Sequence, residues 1–216
     1  MTVVRVRLGQ YPKEVDIVNA FQRKPEIVVF AGPNGSGKST FTELLRPQSD
    51  YINADEIKKY VKCSDMDAAK MAEKQREEHM QNMDDFCFET VLSTDRNLKL
   101  LQRAKEKGYF IRCFYVLTAD PAINVLRVKS RVAAGGHDVP EDKIISRYDK
   151  ALDLVKQVVA VCDICHVYDN SEKTPFRIFK KREDEFFYDE CEDWYLEDII
   201  ALTGIQRLEK RNLNIK

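Results

Sequence analysis

Gly32-Pro33-Asn34-Gly35-Ser36-Gly37-Lys38-Ser39 stands directly after the apolar run Ile27-Val28-Val29-Phe30-Ala31, so the chain passes from a buried-type strand into a glycine-rich loop closing on Lys-Ser. The spacing satisfies G-x-x-x-x-G-K-[ST]. In that pattern backbone N–H groups surround phosphates, the lysine adds a point charge and the Ser hydroxyl reaches Mg²⁺. A helix must follow from about Lys38, and its N-terminal dipole faces the same anion. Gly32, Pro33, Asn34, Gly35, Ser36, Gly37, Lys38, Ser39 and Thr40 are therefore candidate nucleotide contacts, with Ser39 on the metal side.

Outward from the loop, hydrophobic periodicity alternates strand and helix after residue 26, the pattern of a parallel sheet covered by helices on both faces. Strands are predicted at Ile27 to Ala31, Asp50 to Asn53, Phe86 to Glu89, Tyr109 to Leu117 and Ile164 to Tyr168, with an additional edge-like strand at Phe176 to Lys181. Helical spacing runs from Lys38, from Ala54 through His79 with a break near Ser64, from Arg96 to Lys107, from Pro121 to Ala134, from Glu141 to Val161 and from Glu192 to Ala201. The predicted class is α/β, with a mostly parallel sheet of about five strands. Glu183 to Asp198 is rich in acids yet carries Phe186, Phe187, Tyr188, Trp194 and Tyr195. It is expected to form a solvated helix with its aromatic side on the domain, or an acidic docking surface. The first 25 residues are less readable.

A chain of 216 residues suits one α/β domain with a real core. Charged residues make up 33% and nearly cancel to a net charge of -1, so no overall field favours nucleic acid or an anionic membrane. The N-terminal segment lacks an apolar core of about 7–15 residues, and no apolar run approaches transmembrane length. The expectation is a cytoplasmic protein. With no secretory signal expected, its six cysteines are read as reduced, mostly buried thiols. Cys162-Asp163-Ile164-Cys165-His166 matches the C-x-x-C-H pattern of haem attachment, but it alternates like a strand and lacks the second ligand pair of a zinc site.

A phosphate loop says nucleotide, not reaction, and in an open α/β sheet ligands bind at the carboxyl ends of the strands. Asn53-Ala54-Asp55 follows the second predicted strand, and Glu89-Thr90-Val91-Leu92-Ser93-Thr94 ends the third. Two carboxylates thus face one cleft. One can orient and deprotonate an attacking hydroxyl, while the other holds substrate hydroxyls or a Mg²⁺-bound water. Asp55 suits the base, or the cap of the helix that follows. Asn53, Glu89, Thr90 and Ser93 are candidate substrate contacts.

Arg127 and Arg131 share one helical face, Gly135-Gly136 ends that helix, Val139-Pro140-Glu141 starts another, and Arg147 sits on the returning helix. Such a pair forms either a lid that closes over a triphosphate or a solvated basic face. His137 suits helix capping, lid packing or substrate contact. Asp169-Asn170-Ser171 is either a plain turn or, through Asn170, part of the nucleotide site.

On these residues the chain resembles the short-chain branch of the zeta-toxin family of P-loop kinases. The resemblance rests on Gly32 to Ser39, Ile52 to Asp55, Phe88-Glu89-Thr90, Arg131 to Pro140 and Tyr168 to Ser171. It implies a P-loop kinase-like three-layer sandwich with a helical lid at about 127–147 and a C-terminal extension over 183–216. It further implies Mg²⁺-dependent transfer from ATP or GTP to a hydroxyl of a UDP-activated amino sugar, typically UDP-N-acetylglucosamine. Lys38 would hold phosphates, Asp55 would be the base, Glu89 would grip the sugar, and Arg131 and Arg147 would be the lid arginines, with Arg127 able to take either place. Family toxins pair with a small helical antitoxin. The alternatives are a kinase of a nucleoside or sugar acid, and a nucleotide-dependent ATPase or switch. The latter calls for a Walker-B run ending in Asp or Asp-Glu, or a basic groove with exposed aromatics.

Overall fold

The computed structural model describes residues 23–45 and 47–211; the N-terminal stretch up to residue 22 and residues 212–216 of the C-terminal extension lie outside the described residues. β1 (Glu26–Ala31) leads through the loop to α1 (Lys38–Leu45), β2 (Asp50–Ile52), α2 (Ala54–Val61), α3 (Asp65–Asn82) and β3 (Phe86–Thr90). Then come α4 (Asp95–Glu106), β4 (Phe110–Leu117), α5 (Pro121–Ala133), α6 (Glu141–Asp153), α7 (Val155–Val161) and β5 (Ile164–Asp169). The described chain closes with β6 (Phe176–Arg182), β7 (Glu185–Tyr188), α8 (Leu196–Thr203) and β8 (Glu209–Lys210).

The sheet order is β2-β3-β1-β4-β5-β6-β7-β8. β1 is apolar along its length because it is central and covered on both faces. Ile27, Val29 and Ala31 enter the large core with Phe86, Phe88, Ile111 and Tyr115, under apolar residues of α3, α4, α7 and α8. Phe30 turns the other way, against Phe41 of α1 and Val116. Burying a side chain such as Phe88 stabilises the fold by roughly 2–3 kcal/mol. Val125 and Val128 of α5 pack on Ile144 of α6 in a third, small core, so the two lid helices have an interior of their own. No described helix is long and apolar enough to cross a membrane.

Local chemistry sets the element boundaries. α3 starts after Ser64, whose Oγ accepts from the Asp67 N–H, so the expected break near that residue is a capped helix start. The expected helix from Glu141 to Val161 is two helices meeting at Leu154. Cys162 and Cys165 lie buried in the large core with Cys113, whereas His166 stacks on Phe114 on the opposite face of β5. Cys162 ends α7 and only Ile164 to His166 of the run are strand, and since successive strand residues face opposite ways the C-x-x-C-H run does not form a haem anchor.

The largest departure from expectation is the sheet itself, which has eight strands and not five. β2, β3, β1, β4 and β5 are parallel, and β6 adds antiparallel to β5. β6 is not an edge, because the chain turns back at Glu183, where φ is 54°, and β7 pairs along it. The helix expected in Glu183 to Asp198 is therefore mostly strand and turn, with helix only from Leu196. The physical reason is the alternation of its aromatics. Phe186 and Tyr188 pack on the large core, while Phe187 lies on the other face beneath Lys180.

Candidate active site

The phosphate loop joins the end of β1 to α1 and is held by its own carbonyls. Lys38 Nζ donates to the Pro33 carbonyl at 2.8 Å. Asn170 Nδ2 donates to the Ser36 carbonyl at 2.7 Å, so this side chain braces the loop from the turn after β5. Gly37 has φ +98°, and a Cβ there would stand 2.4 Å from Asn170 Nδ2; only glycine allows that approach. Ser36 Oγ is buried without a partner among the described residues, close against Gly32 at the start of the loop. Ser39 and Thr40 lie exposed in the first turn of α1.

Burial pushes the Lys38 ammonium down to about 8; Glu89 opposes the shift, Arg131 adds to it and Asp55 opposes it, so these four groups share one electrostatic neighbourhood. The fold thus gathers residues from the loop, the α2 start, the end of β3 and the lid.

Glu89 lies on the α1 face of β3. One carboxylate oxygen accepts from Ser39 Oγ at 3.0 Å, and the other from Thr42 Oγ1 at 2.7 Å and the Tyr51 hydroxyl at 2.6 Å. Burial and the Glu89 bond push the Tyr51 hydroxyl well above its usual range. Ser39 and Glu89 together present two hard oxygen donors at one point, a set that fits Mg²⁺. Thr42 and Tyr51 escaped sequence reasoning; the only signal was a hydroxyl one helical turn past the loop and another two residues before Asn53.

Asp55 is not the helix cap. Asn53 caps α2, its Oδ1 accepting from the Asp55 N–H at 2.8 Å while its Nδ2 reaches the Tyr51 hydroxyl. The exposed Asp55 carboxylate has no hydrogen bond or ion pair among the described residues. It lines a cavity of about 420 Å³ with Lys58, Lys59, Arg131 and His137. A second cavity of about 420 Å³ lies between α2 and α3, lined by Tyr51, Asn53, Ile57, Tyr60 and Met71 among others. Of the cationic group, Lys58 pairs with Asp65 at 2.6 Å, and Arg131 donates to the His137 carbonyl at 2.7 Å.

The other predicted residues are placed as follows. Arg127 donates to the Ser171 carbonyl at 3.0 Å, and its Nη1 is buried without a partner among the described residues. Arg147 is half-buried on α6 and lines neither cavity. The Thr90 hydroxyl accepts from Leu92 N and Asn97 Nδ2, which commits it to the turn after β3. Ser93 is half-buried in that turn.

Such a cleft belongs to the P-loop phosphotransferases that act on hydroxyl groups, which bind a nucleotide on the loop and an acceptor opposite it. Within that class the match is more particular: the family model described as Zeta toxin covers residues 13–184, and the chain belongs to the zeta toxin family. An uncharacterized protein of Haemophilus influenzae is 29% identical over 127 residues, which are 56% of this chain and 91% of that protein. Among solved structures, one from the PezAT chromosomal toxin-antitoxin system of Streptococcus pneumoniae aligns with a TM-score of 0.53 at 18% identity, over 74% of this chain and 72% of that one. The AvrRxo1-ORF1:-ORF2 structure with ATP aligns with a TM-score of 0.63 at 13% identity, over 87% of this chain and 66% of that one. These two likenesses are of fold.

Proposed function

We propose that the protein transfers the γ-phosphate of ATP or GTP to a hydroxyl of a UDP-activated amino sugar such as UDP-N-acetylglucosamine. The observation that carries this reading is the lining of the cavity beside Asp55, where Lys58, Lys59, Arg131 and His137 surround one free carboxylate. An acceptor that itself bears a diphosphate complements such a surface, whereas a neutral alcohol leaves the charges of Lys59 and Arg131 unused, Lys58 being paired with Asp65. In this scheme the loop N–H groups and Lys38 hold the donor's phosphates. Asp55 orients the acceptor hydroxyl and takes its proton as the oxygen attacks phosphorus. Arg131, with Arg127 and Arg147 on the same lid, neutralises charge on the transferring group and helps to exclude water.

In this scheme Glu89 takes a metal-side role in preference to the sugar grip that the family resemblance implies. Its contact with Ser39 supports the metal-side role, in which Ser39 and Glu89 hold Mg²⁺ directly or through water. A Mg²⁺ held by these two residues would supply charge neutralisation to the donor's phosphates. The same reading takes residues 1–216 as one cytoplasmic kinase domain with a lid at about 127–147, and a small helical antitoxin as its partner.

The test is a panel in which γ-labelled ATP or GTP is offered UDP-N-acetylglucosamine, other UDP-sugars, nucleosides and sugar acids. Label on a UDP-amino sugar supports the proposal. Label only on a sugar acid or nucleoside moves the acceptor to another class, and steady hydrolysis with no labelled acceptor, stimulated by nucleic acid, overturns the kinase scheme.

A further inference from the structure

We propose that Asn124 is a positioning residue of the phosphate loop, and that Thr118 and Tyr148 hold it so that the loop and the second lid helix keep one register. The inference rests on reading Gly32 to Ser39 as the site of the nucleotide's phosphates.

Asn124 is 0% exposed on α5, in the stripe that continues through Arg127 and Arg131. A buried amide among valines is costly unless its groups are bonded. Both ends of this one are. Nδ2 donates to the Asn34 carbonyl at 2.6 Å, and Oδ1 accepts from the Thr118 hydroxyl. The Asn34 carbonyl can only accept, so it fixes which way the amide faces, and Thr118, also 0% exposed, holds the amide's oxygen end, with the Asp120 carbonyl at 3.3 Å as a second acceptor for its hydroxyl. The Thr118 carbonyl in turn accepts from the Tyr148 hydroxyl of α6 at 2.5 Å. A buried relay of three side chains runs from the lid to the loop.

The loop end of the relay acts on peptide orientation. The described chain has no cis peptide bonds, and in a trans peptide C=O and N–H point in opposite directions. Drawing the Asn34 carbonyl toward α5 therefore turns the Gly35 N–H away from α5, into the loop. The fit is close: a Cβ on Gly35 would stand 2.6 Å from the Asn124 carbonyl oxygen. Asn170 does the same to the next-but-one peptide, through Ser36 O. An anion cradle depends on N–H dipoles fixed before the anion arrives. Arg127 and Arg131 share α5 with Asn124, and Arg147 adjoins Tyr148, so the lid arginines take their place from the same anchor.

The experiment compares binding of Mg·ATP and of tripolyphosphate by calorimetry in wild type, Asn124→Asp, Thr118→Val and Val125→Ala. Asn124→Asp keeps the shape and replaces the donor by an acceptor facing a carbonyl. Both dissociation constants are expected to rise about tenfold or more in protein that retains its circular dichroism. Thr118→Val removes the hydroxyl that holds the amide's oxygen end while keeping the carbonyl that Tyr148 reaches, and a rise of about threefold or more is expected. It decides the matter if Asn124→Asp does not fold. Val125→Ala damages the same helix outside the relay and is expected to lower Tm without weakening either ligand. Dissociation constants within about twofold of wild type in both relay variants overturn the inference. So does a Val125→Ala loss equal to theirs, which would make the effect one of general stability. If wild type itself binds neither ligand, the nucleotide reading of the loop fails, and the inference falls with it.

Discussion

Replacing Asp55 by Asn separates chemistry from architecture at the start of α2. The substitution keeps shape, and the helix keeps its cap because Asn53, not Asp55, supplies it. The Asp55 carboxylate is exposed and has no partner among the described residues, so the change in folding stability is expected to stay within about 0.5 kcal/mol. Loss of a general base typically costs about 10²- to 10⁴-fold in rate, equivalent to roughly 2.7–5.5 kcal/mol of transition-state stabilisation at 1.36 kcal/mol per decade. Asn53→Ala should show the reverse pattern. It removes the cap bond and the contact to Tyr51, with an expected stability loss of about 1 kcal/mol. The assay is transfer of labelled γ-phosphate to the best acceptor of the panel, run beside thermal denaturation and nucleotide binding. Transfer by Asp55→Asn within about threefold of wild type, at unchanged nucleotide affinity, would falsify the assignment of Asp55 as base.

Gly37→Ala places a Cβ 2.4 Å from Asn170 Nδ2 at φ +98°; a loss of about 1–3 kcal/mol by chemical denaturation is expected, with weakened nucleotide binding, and unchanged values would show the contact to be slack. Lys38 is held at about 8 against the ordinary 10.5. Between those values the unfolded chain binds the additional proton, so this residue's cost is fully present below about pH 8 and fades as pH rises toward 10.5. The stability of nucleotide-free protein relative to Lys38→Met should therefore rise across that window, while tripolyphosphate affinity falls as the ammonium is lost; a flat stability difference contradicts the buried-lysine picture. Cys87, Cys113, Cys162 and Cys165 are buried while Cys63 and Cys191 are half-buried. DTNB should thus titrate two thiols promptly and the other four only on unfolding, and prompt reaction of all six would contradict that packing.

What was legible in the sequence was whatever depends on neighbours along the chain. The β1 run, the loop glycines, the capped restart at Ser64 and the Gly135-Gly136 stop are all local signals, and each stands within a few residues of its expected place. The β7 strand was not legible because Glu185-Phe186-Phe187-Tyr188 becomes strand only by pairing with β6, inside a segment whose acidity favours solvent. The partners of Glu89 lie 50, 47 and 38 residues away at Ser39, Thr42 and Tyr51, so spacing could point to a carboxylate at a strand end but not to the side it serves. Thr90 and Asn170 stand at the expected strand ends, yet their side chains serve the backbone of a turn and of the loop. Asn124 left only a faint trace, a polar residue in the same helical stripe as Arg127 and Arg131.

α2 has no buried residue, and open cavities flank it on both sides. The helix that carries Asp55 meets the large core only through the half-buried Ala54 and Ile57, whereas the loop that receives phosphates is clamped by the amides of Asn124 and Asn170. Substitutions on α2 can reshape the acceptor side at little expense to the fold, while changes at the loop threaten both fold and donor. On the proposed reading, acceptor choice and phosphate binding in this scaffold are therefore separately adjustable.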